Sequence, residues 1–247
     1  MRSETWYPTR LLYLDAPQEG GDRVRLIHTA DEVPSGEYVT LGHCWGKARL
    51  IQLTRATLPK FQSAIAIANM LKTFQDAIIS AKRLGVPYIW IDSLCIFQGK
   101  DDLTDWFHEV ALMHKVYSHS FCNLSAFAAI DSSKGLFFRR DPEFLHAVEG
   151  VLCVDEFEED NDFVNFRFID YLFQQINVSH SYINKREWAL QERLLSPRVL
   201  HFERYQLFWE CREIDASESY PEDLPKILTY QVHTNFKALN PSAYIKK

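Results

Sequence analysis

No long run of lysine or arginine occurs in this 247-residue chain, and 27 basic against 33 acidic side chains leave a formal charge of −6. The electrostatic footprint of a nucleic-acid binder is therefore missing, and no nucleic-acid partner is expected. Nor does any apolar stretch approach the roughly 20 residues that cross a bilayer. The opening segment MRSETWYPTR lacks the apolar run of a signal peptide. A cytoplasmic or nuclear chain with no membrane partner is expected. Cysteine is sparse: Cys44, Cys95, Cys122, Cys153 and Cys211 are odd in number, widely spread and free of CxxC or Cys/His spacing. That pattern excludes a disulfide framework and a zinc site, so no metal is expected. Internal repeats and low-complexity segments are absent too. What remains, 47% hydrophobic and 14% aromatic, suffices for a sizeable core in one domain.

Two short apolar runs, Leu11 to Leu14 and Val24 to Ile27, flank a loop with Gly20-Gly21 and predict an N-terminal hairpin. Tyr38-Val39-Thr40-Leu41 is a β-branched and aromatic strand that runs into Gly42-His43-Cys44-Trp45-Gly46. Thr73-Phe74-Gln75-Asp76 has the Thr-x-x-Asp form of a helix cap. Phe74, Ala77, Ile78, Ala81 and Leu84 then recur at helical spacing until Gly85 and Pro87 stop the helix. The unbroken strand Tyr88-Ile89-Trp90-Ile91 ends at Asp92-Ser93, and a loop from Phe97 to Thr104 follows. A second helix carries Asp101, Asp102 and Asp105 near its start, His114 and Lys115 near its end, and a stripe of Trp106, Val110, Met113 and Tyr117. A third strand spans about Phe121 to Phe127. This alternation predicts an α/β fold with a parallel sheet flanked by helices, whose ligand site lies beyond the C-terminal strand ends. His43 to Gly46 and Asp92-Ser93 fall at those ends.

Asp155 to Asp162 is a dense acidic run, read as a solvated loop or mobile insertion. Phe163, Phe166, Ile169, Phe173 and Ile176 then have helical spacing, and another helix from about Arg186 to Leu195 ends before Ser196-Pro197. Val199 to Phe202 and Gln206 to Cys211 predict a terminal hairpin.

Three blocks, Tyr38 to Gly46 (YVTLGHCWG), Tyr88 to Gln98 (YIWIDSLCIFQ) with Trp106, Glu109, Met113 and Tyr117, and Arg186 to Arg198 (REWALQERLLSPR), resemble in order and spacing the signature blocks of the fungal heterokaryon-incompatibility (HET) domain. With Trp6 to Leu12 and the Gln206 to Cys211 tail they cover most of the chain. The family usually carries Ser at the place of Gly42 and often Gly at that of Glu187. The resemblance implies a cell-death module that acts when genetically different hyphae fuse. It also implies a single domain over 1–247, with a core of about 36–212, a variable insertion at 143–180 and a C-terminal extension at 213–247.

HET domains in turn resemble Toll-receptor-type (TIR) domains, which implies a flavodoxin-like sheet with the two hairpins as additions. The strands into Cys44-Trp45-Gly46 and Asp92-Ser93 are similar to the first two TIR strands, and Phe97 to Thr104 to the loop that closes over ligand. Trp188 to Leu194 resembles the TIR helix whose glutamate is catalytic in NAD-cleaving members, and that glutamate falls on Glu192. The resemblance thus implies NAD as substrate, with no cofactor. A carboxylate between Trp188 and Leu195 on one helical face is partly desolvated and suited to stabilising an oxocarbenium-like ribose. The competing reading is a surface ion pair of Glu192 with Arg193, Arg186 or Arg198.

Other candidates follow from placement. Cys44, Trp45, Gly46, Lys47, Asp92, Ser93 and Trp188 are the expected substrate-binding residues. Trp45 and Trp188 can stack on a ring or fill core, and Asp92 can accept ribose hydroxyls or backbone amides of its own loop. Lys47, Arg49, Arg139 and Arg140 can face a pyrophosphate or water. His43 and Cys44 as adjacent strand residues point to opposite faces, which opposes a thiol–base pair. The second function class is a non-catalytic death-signalling module that self-associates. Either class leaves room for an upstream allorecognition receptor as a partner.

Overall fold

The computed structural model describes residues 6–14, 22–46, 51–99, 103–142, 148–154, 162–168 and 187–225. In chain order its strands are β1 (Arg10–Tyr13), β2 (Arg23–His28), β3 (Tyr38–Gly42), β4 (Ile65–Ala66), β5 (Tyr88–Trp90), β6 (Cys122–Ser125), β7 (Val148–Val154), β8 (Asp162–Phe168), β9 (Arg198–Phe202), β10 (Leu207–Cys211) and β11 (Asp215–Ser217). The helices are α1 (Leu58–Ser63), α2 (Lys72–Arg83), α3 (Asp92–Cys95), α4 (Thr104–Ser118) and α5 (Glu187–Leu195). Among the described residues one sheet runs β11-β10-β9-β6-β3-β5-β1-β2-β4, and β7 with β8 forms a separate antiparallel pair.

Parallel pairing joins β5 to β3, β3 to β6 and β6 to β9, while β1, β2, β4, β10 and β11 extend the same sheet antiparallel at its two sides. The predicted parallel neighbours, the strands ending at Leu41, at Ile91 and near Phe127, therefore do form, but the sheet as a whole is mixed. The two hairpins are edges of it, and β9 belongs to its parallel centre. The chain leaves β3 toward β5 and returns past β3 to β6, so the connections diverge between β3 and β6. Ligands of open α/β sheets bind at such a switch point, beyond the carboxyl ends of the strands.

Burial on both faces explains the unbroken apolar runs of the centre, with all five residues of β3 and all three of β5 buried. On α2, Phe74, Ala77, Ile78 and Ala81 are fully buried against the sheet, whereas Leu84, expected on that stripe, is exposed at the helix end. Each large apolar side chain so buried contributes about 1.5–3 kcal/mol. Gly85 takes φ +70°, and the N–H groups of Gly85 and Val86 return to the carbonyls of Lys82 and Ala81 in a Schellman stop.

Two sequence expectations are corrected. Thr73 and Asp76 do not cap α2, which starts at Lys72 without a side-chain cap. Thr73 Oγ1 instead accepts the Gly135 N–H, and the fully buried Asp76 accepts the Leu136 N–H at 2.8 Å. Tertiary partners outcompeted the local cap, and the segment after β6 is thereby fastened to α2. The helical spacing from Phe163 is also misleading, because Asp162–Phe168 is strand β8 in register with β7. Val164, Phe166 and Phe168 alternate with Asn165 and Arg167, a period of two that the Phe163–Phe166–Ile169 series masks. Ile169, Phe173, Ile176 and most of the acidic run lie outside the described residues.

Candidate functional site

Beyond Gly42 the chain leaves β3 as His43-Cys44-Trp45-Gly46. Gly46 needs its glycine, because its φ is +59° and a Cβ there would strike Asp131. The Cys44 carbonyl accepts the Ser132 hydroxyl at 3.0 Å, so the segment is pinned from the loop that α2 holds. Next door, β5 ends and α3 begins at Asp92. One carboxylate oxygen, Oδ1, accepts the Ser93 N–H at 2.6 Å, and the other, Oδ2, accepts the Trp45 indole N–H at 2.9 Å. Asp92 thus satisfies its own turn and fixes the Trp45 ring. His43 is buried edge-on against Phe74, its Nε2 3.8 Å from Asp92 Oδ1.

Glu192 approaches from α5. It is 4% exposed, and its Oε2 reaches the end of β3 at Gly42. Two of the arginines expected to neutralise it at the surface are engaged elsewhere. Arg193 forms a forked pair with Glu210 on β10, and Arg198 donates to the Phe121 carbonyl from above that ring. Arg186 lies outside the described residues.

Trp45, Asp92 and Glu192 line one pocket with Ile96, Gln98, Trp106, Val110 and Met113, of about 130 Å³. That is close to the roughly 150 Å³ that admits a single benzene ring. Its far wall is braced by a buried charge cluster: Arg10 on β1 donates to Asp105 at 2.5 Å, to Glu109 at 3.2 Å and to the Cys95 carbonyl at 2.7 Å, and covers the Phe97 ring. Asp105 also accepts the Phe97 N–H, and Gln98 donates its backbone N–H to Leu53, so both sides of Ile96 are held. Burial pushes the thiol of Cys95, the last residue of α3, up to about 12, which removes it as a nucleophile near neutral pH. The pocket therefore offers two indoles for stacking, an amide and two carboxylates, a set suited to a planar ring that bears or develops positive charge.

The structure brings Trp45, Asp92 and Glu192 together. Cys44 and Ser93 are buried beside them without lining the pocket, and Gly46 is exposed at its outer turn. Lys47 and Arg49 lie outside the described residues, as does the side chain of Trp188. Arg140 is paired with Glu218, and Arg139 does not line the pocket. Ile96, Gln98, Trp106, Val110 and Met113 were not singled out as site residues. The 106–110–113 spacing was visible, but a stripe that walls a pocket reads the same as one that packs on a sheet. Among the described residues no three His, Cys, Asp or Glu side chains cluster as metal ligands, and no helix is long and apolar enough to cross a membrane.

Fold and site together define an α/β protein with an aromatic, doubly acidic pocket at the carboxyl ends of its parallel strands. The family model for heterokaryon incompatibility protein (HET) matches residues 38–192, well over half of the chain, and the chain belongs to that family. Membership implies a role in heterokaryon incompatibility. The match ends on Glu192 itself, whereas the sheet continues through β9 to β11. No curated protein and no solved structure matches the chain.

Proposed function

We propose that this chain is a cell-death effector of heterokaryon incompatibility that hydrolyses NAD in the manner of TIR enzymes. The bond between ribose and nicotinamide breaks, the bonding electrons leave with the neutral ring, and water adds to the anomeric carbon with loss of a proton. Nicotinamide and ADP-ribose are the products. The observation that carries this reading is the Glu192 carboxylate, buried in a ring-sized pocket with Trp45 and Asp92 rather than lying on the surface. A desolvated carboxylate is the group that favours an oxocarbenium-like ribose over the ground state. Trp45 or Trp106 gives the nicotinamide a stacking face, and Asp92 holds Trp45 while presenting its own oxygens to the pocket. The wall around them is Ile96, Gln98, Val110 and Met113, and substrate contacts by Cys44, Gly46, Lys47, Ser93 and Trp188 remain part of the proposal only. The order β5-β3-β6-β9 of the four parallel strands, second-first-third-fourth along the chain, supports a flavodoxin-like, TIR-like core. The domain spans the chain and works in the cytoplasm, downstream of an allorecognition receptor.

A second reading, a non-catalytic module that self-associates, is favoured by a separate observation. Leu103 and Phe107 on the α4 side and Leu190 and Leu194 on α5 are exposed, and the two helices touch. The test is nicotinamide release from NAD by the purified chain, read by chromatography, in dilute solution and on a clustering support. Release that Glu192→Gln lowers about 100-fold or more supports catalysis. No release even when clustered, with full toxicity of Glu192→Gln in cells, leaves the self-associating module.

A further inference from the structure

We propose that Gln98 is the specificity-determining residue of the pocket: its amide oxygen accepts an N–H of the nicotinamide carboxamide, so that NAD is admitted and its deamidated form, with a carboxylate on the ring, is turned away. The identity of that ring rests on the NAD cleavage proposed above. Gln98 lines the pocket just past the α3 turn, and its side-chain nitrogen is already engaged there. Nε2 donates to the Ile96 carbonyl at 3.1 Å and to the Asp92 carbonyl at 3.4 Å. An amide nitrogen carries two hydrogens, so these bonds occupy both of its donors. Turning the amide over would set its oxygen against two carbonyl oxygens. What Gln98 has left for a ligand is therefore Oε1, which can only accept.

The base of this side chain is held as well. The Gln98 N–H donates to the Leu53 carbonyl at 2.9 Å, the Leu53 N–H donates to the Ser93 carbonyl at 2.8 Å, and Leu53 is fully buried. The acceptor is thus set in place before a ligand arrives, which lowers the entropy lost on binding. The rest of the pocket has the same polarity: Asp92 and Glu192 bring carboxylates, and no Lys, Arg or His is among the described residues that line it. A carboxylate on the ring would bring an anion among acceptors, partly out of water and without a cation to meet it. A carboxamide brings N–H groups instead. An acetyl group separates hydrogen bonding from charge, because it is neutral and of nearly the same shape but carries a methyl in place of the NH2. If Gln98 only fastened the α3 turn, its replacement would affect all three rings alike.

The experiment compares the wild-type chain with Gln98→Met, which keeps the side-chain length and leaves only a weakly accepting sulfur. Nicotinamide, 3-acetylpyridine and nicotinate are titrated against each protein by NMR. NAD and its acetylpyridine and deamidated analogues are assayed for release of the ring, which gives kcat/KM for each. The wild type is expected to prefer the carboxamide over the acetyl ring by about 10-fold, the worth of one hydrogen bond, and over the carboxylate by about 100-fold or more. In Gln98→Met the preference over the acetyl ring is expected to fall within about threefold, whatever happens to the absolute rates. A wild type that binds no nicotinamide, or binds it no better than 3-acetylpyridine, overturns the proposal, and so does an undiminished preference in the variant. If Gln98→Met fails to fold, the wild-type preference decides, together with a crystal soaked with nicotinamide: a carboxamide nitrogen within hydrogen-bond distance of Gln98 Oε1 supports the proposal, and one bonded elsewhere overturns it. Preferential binding of nicotinamide by a chain that leaves NAD intact defeats the catalytic reading but not the role of Gln98. Cleavage of NAD with a preference that Gln98→Met does not alter defeats the role of Gln98 but not the catalytic reading.

Discussion

Glu203 opens the turn between β9 and β10 and Glu210 lies within β10, yet the fold moves their carboxyls in opposite directions. Burial dominates at Glu203 and raises it from 4.5 to about 7, against weaker help from the Arg204 N–H and Arg140. At Glu210 burial acts the same way but is overcome by hydrogen bonds from His201 and Arg193, which hold the carboxylate well below its ordinary range. The signs differ accordingly. A carboxyl raised by folding stabilises the native state most below pH 4.5, and that contribution is lost as pH rises toward about 7. Glu203→Gln is therefore expected to gain stability relative to the wild type at pH 8 and to be nearly neutral at pH 4, at about 1.4 kcal/mol per pH unit of separation. Urea denaturation at the two pH values checks this, and a gain confined to pH 4 would contradict it. At the site itself, Asp92→Ala removes the acceptor of the Trp45 indole N–H. The expected outcome is a Trp45 ring more accessible to acrylamide quenching, at a stability cost of about 1 kcal/mol. Trp45 and Asp92 were legible as candidates because both sit just past strand ends. Their mutual hydrogen bond was not, because it joins residues from separate strands.

Helix α5 is fastened on its far side by Arg193, whose guanidinium forks onto Glu210, which also binds His201. Glu192, the preceding residue, lines the pocket. Arg193→Met is expected to destabilise the chain by about 3–5 kcal/mol, since it strips a buried carboxylate of its guanidinium partner and leaves it with His201 alone. Replacing both Arg193 and Glu210 with apolar residues should recover much of that loss, as measured by denaturant midpoints in a double-mutant cycle. Full additivity of the two single changes would contradict this coupling. At this scale periodicity served well where one face met one core, as on α2. It failed for Asp162–Phe168, where aromatic residues at helical spacing also alternate as a strand, and at Thr73 and Asp76, where a local cap motif was recruited by a distant loop.

For the whole molecule, the exposed apolar side chains on α4 and α5 predict an effect on assembly. Phe107 is 62% and Leu190 60% exposed. Changing both to glutamate is expected to leave the melting temperature within a few degrees, because exposed substitutions shift stability by only about 0.5 kcal/mol each. The same change should lower any concentration-dependent association seen by sedimentation velocity. Unaltered association by the double variant would place the contact elsewhere. What the sequence by itself determined is the alternation of strands and helices, the parallel centre of the sheet and the family, since these follow from local apolar period, turn residues and motif spacing. Only the tertiary structure decided that the hairpins complete one mixed sheet, that Arg10 is buried between Asp105 and Glu109, and that Glu192 turns inward onto Gly42. Those outcomes depend on which side chains from separate elements compete for the same space and the same hydrogen bonds, and spacing along a chain carries no record of that competition.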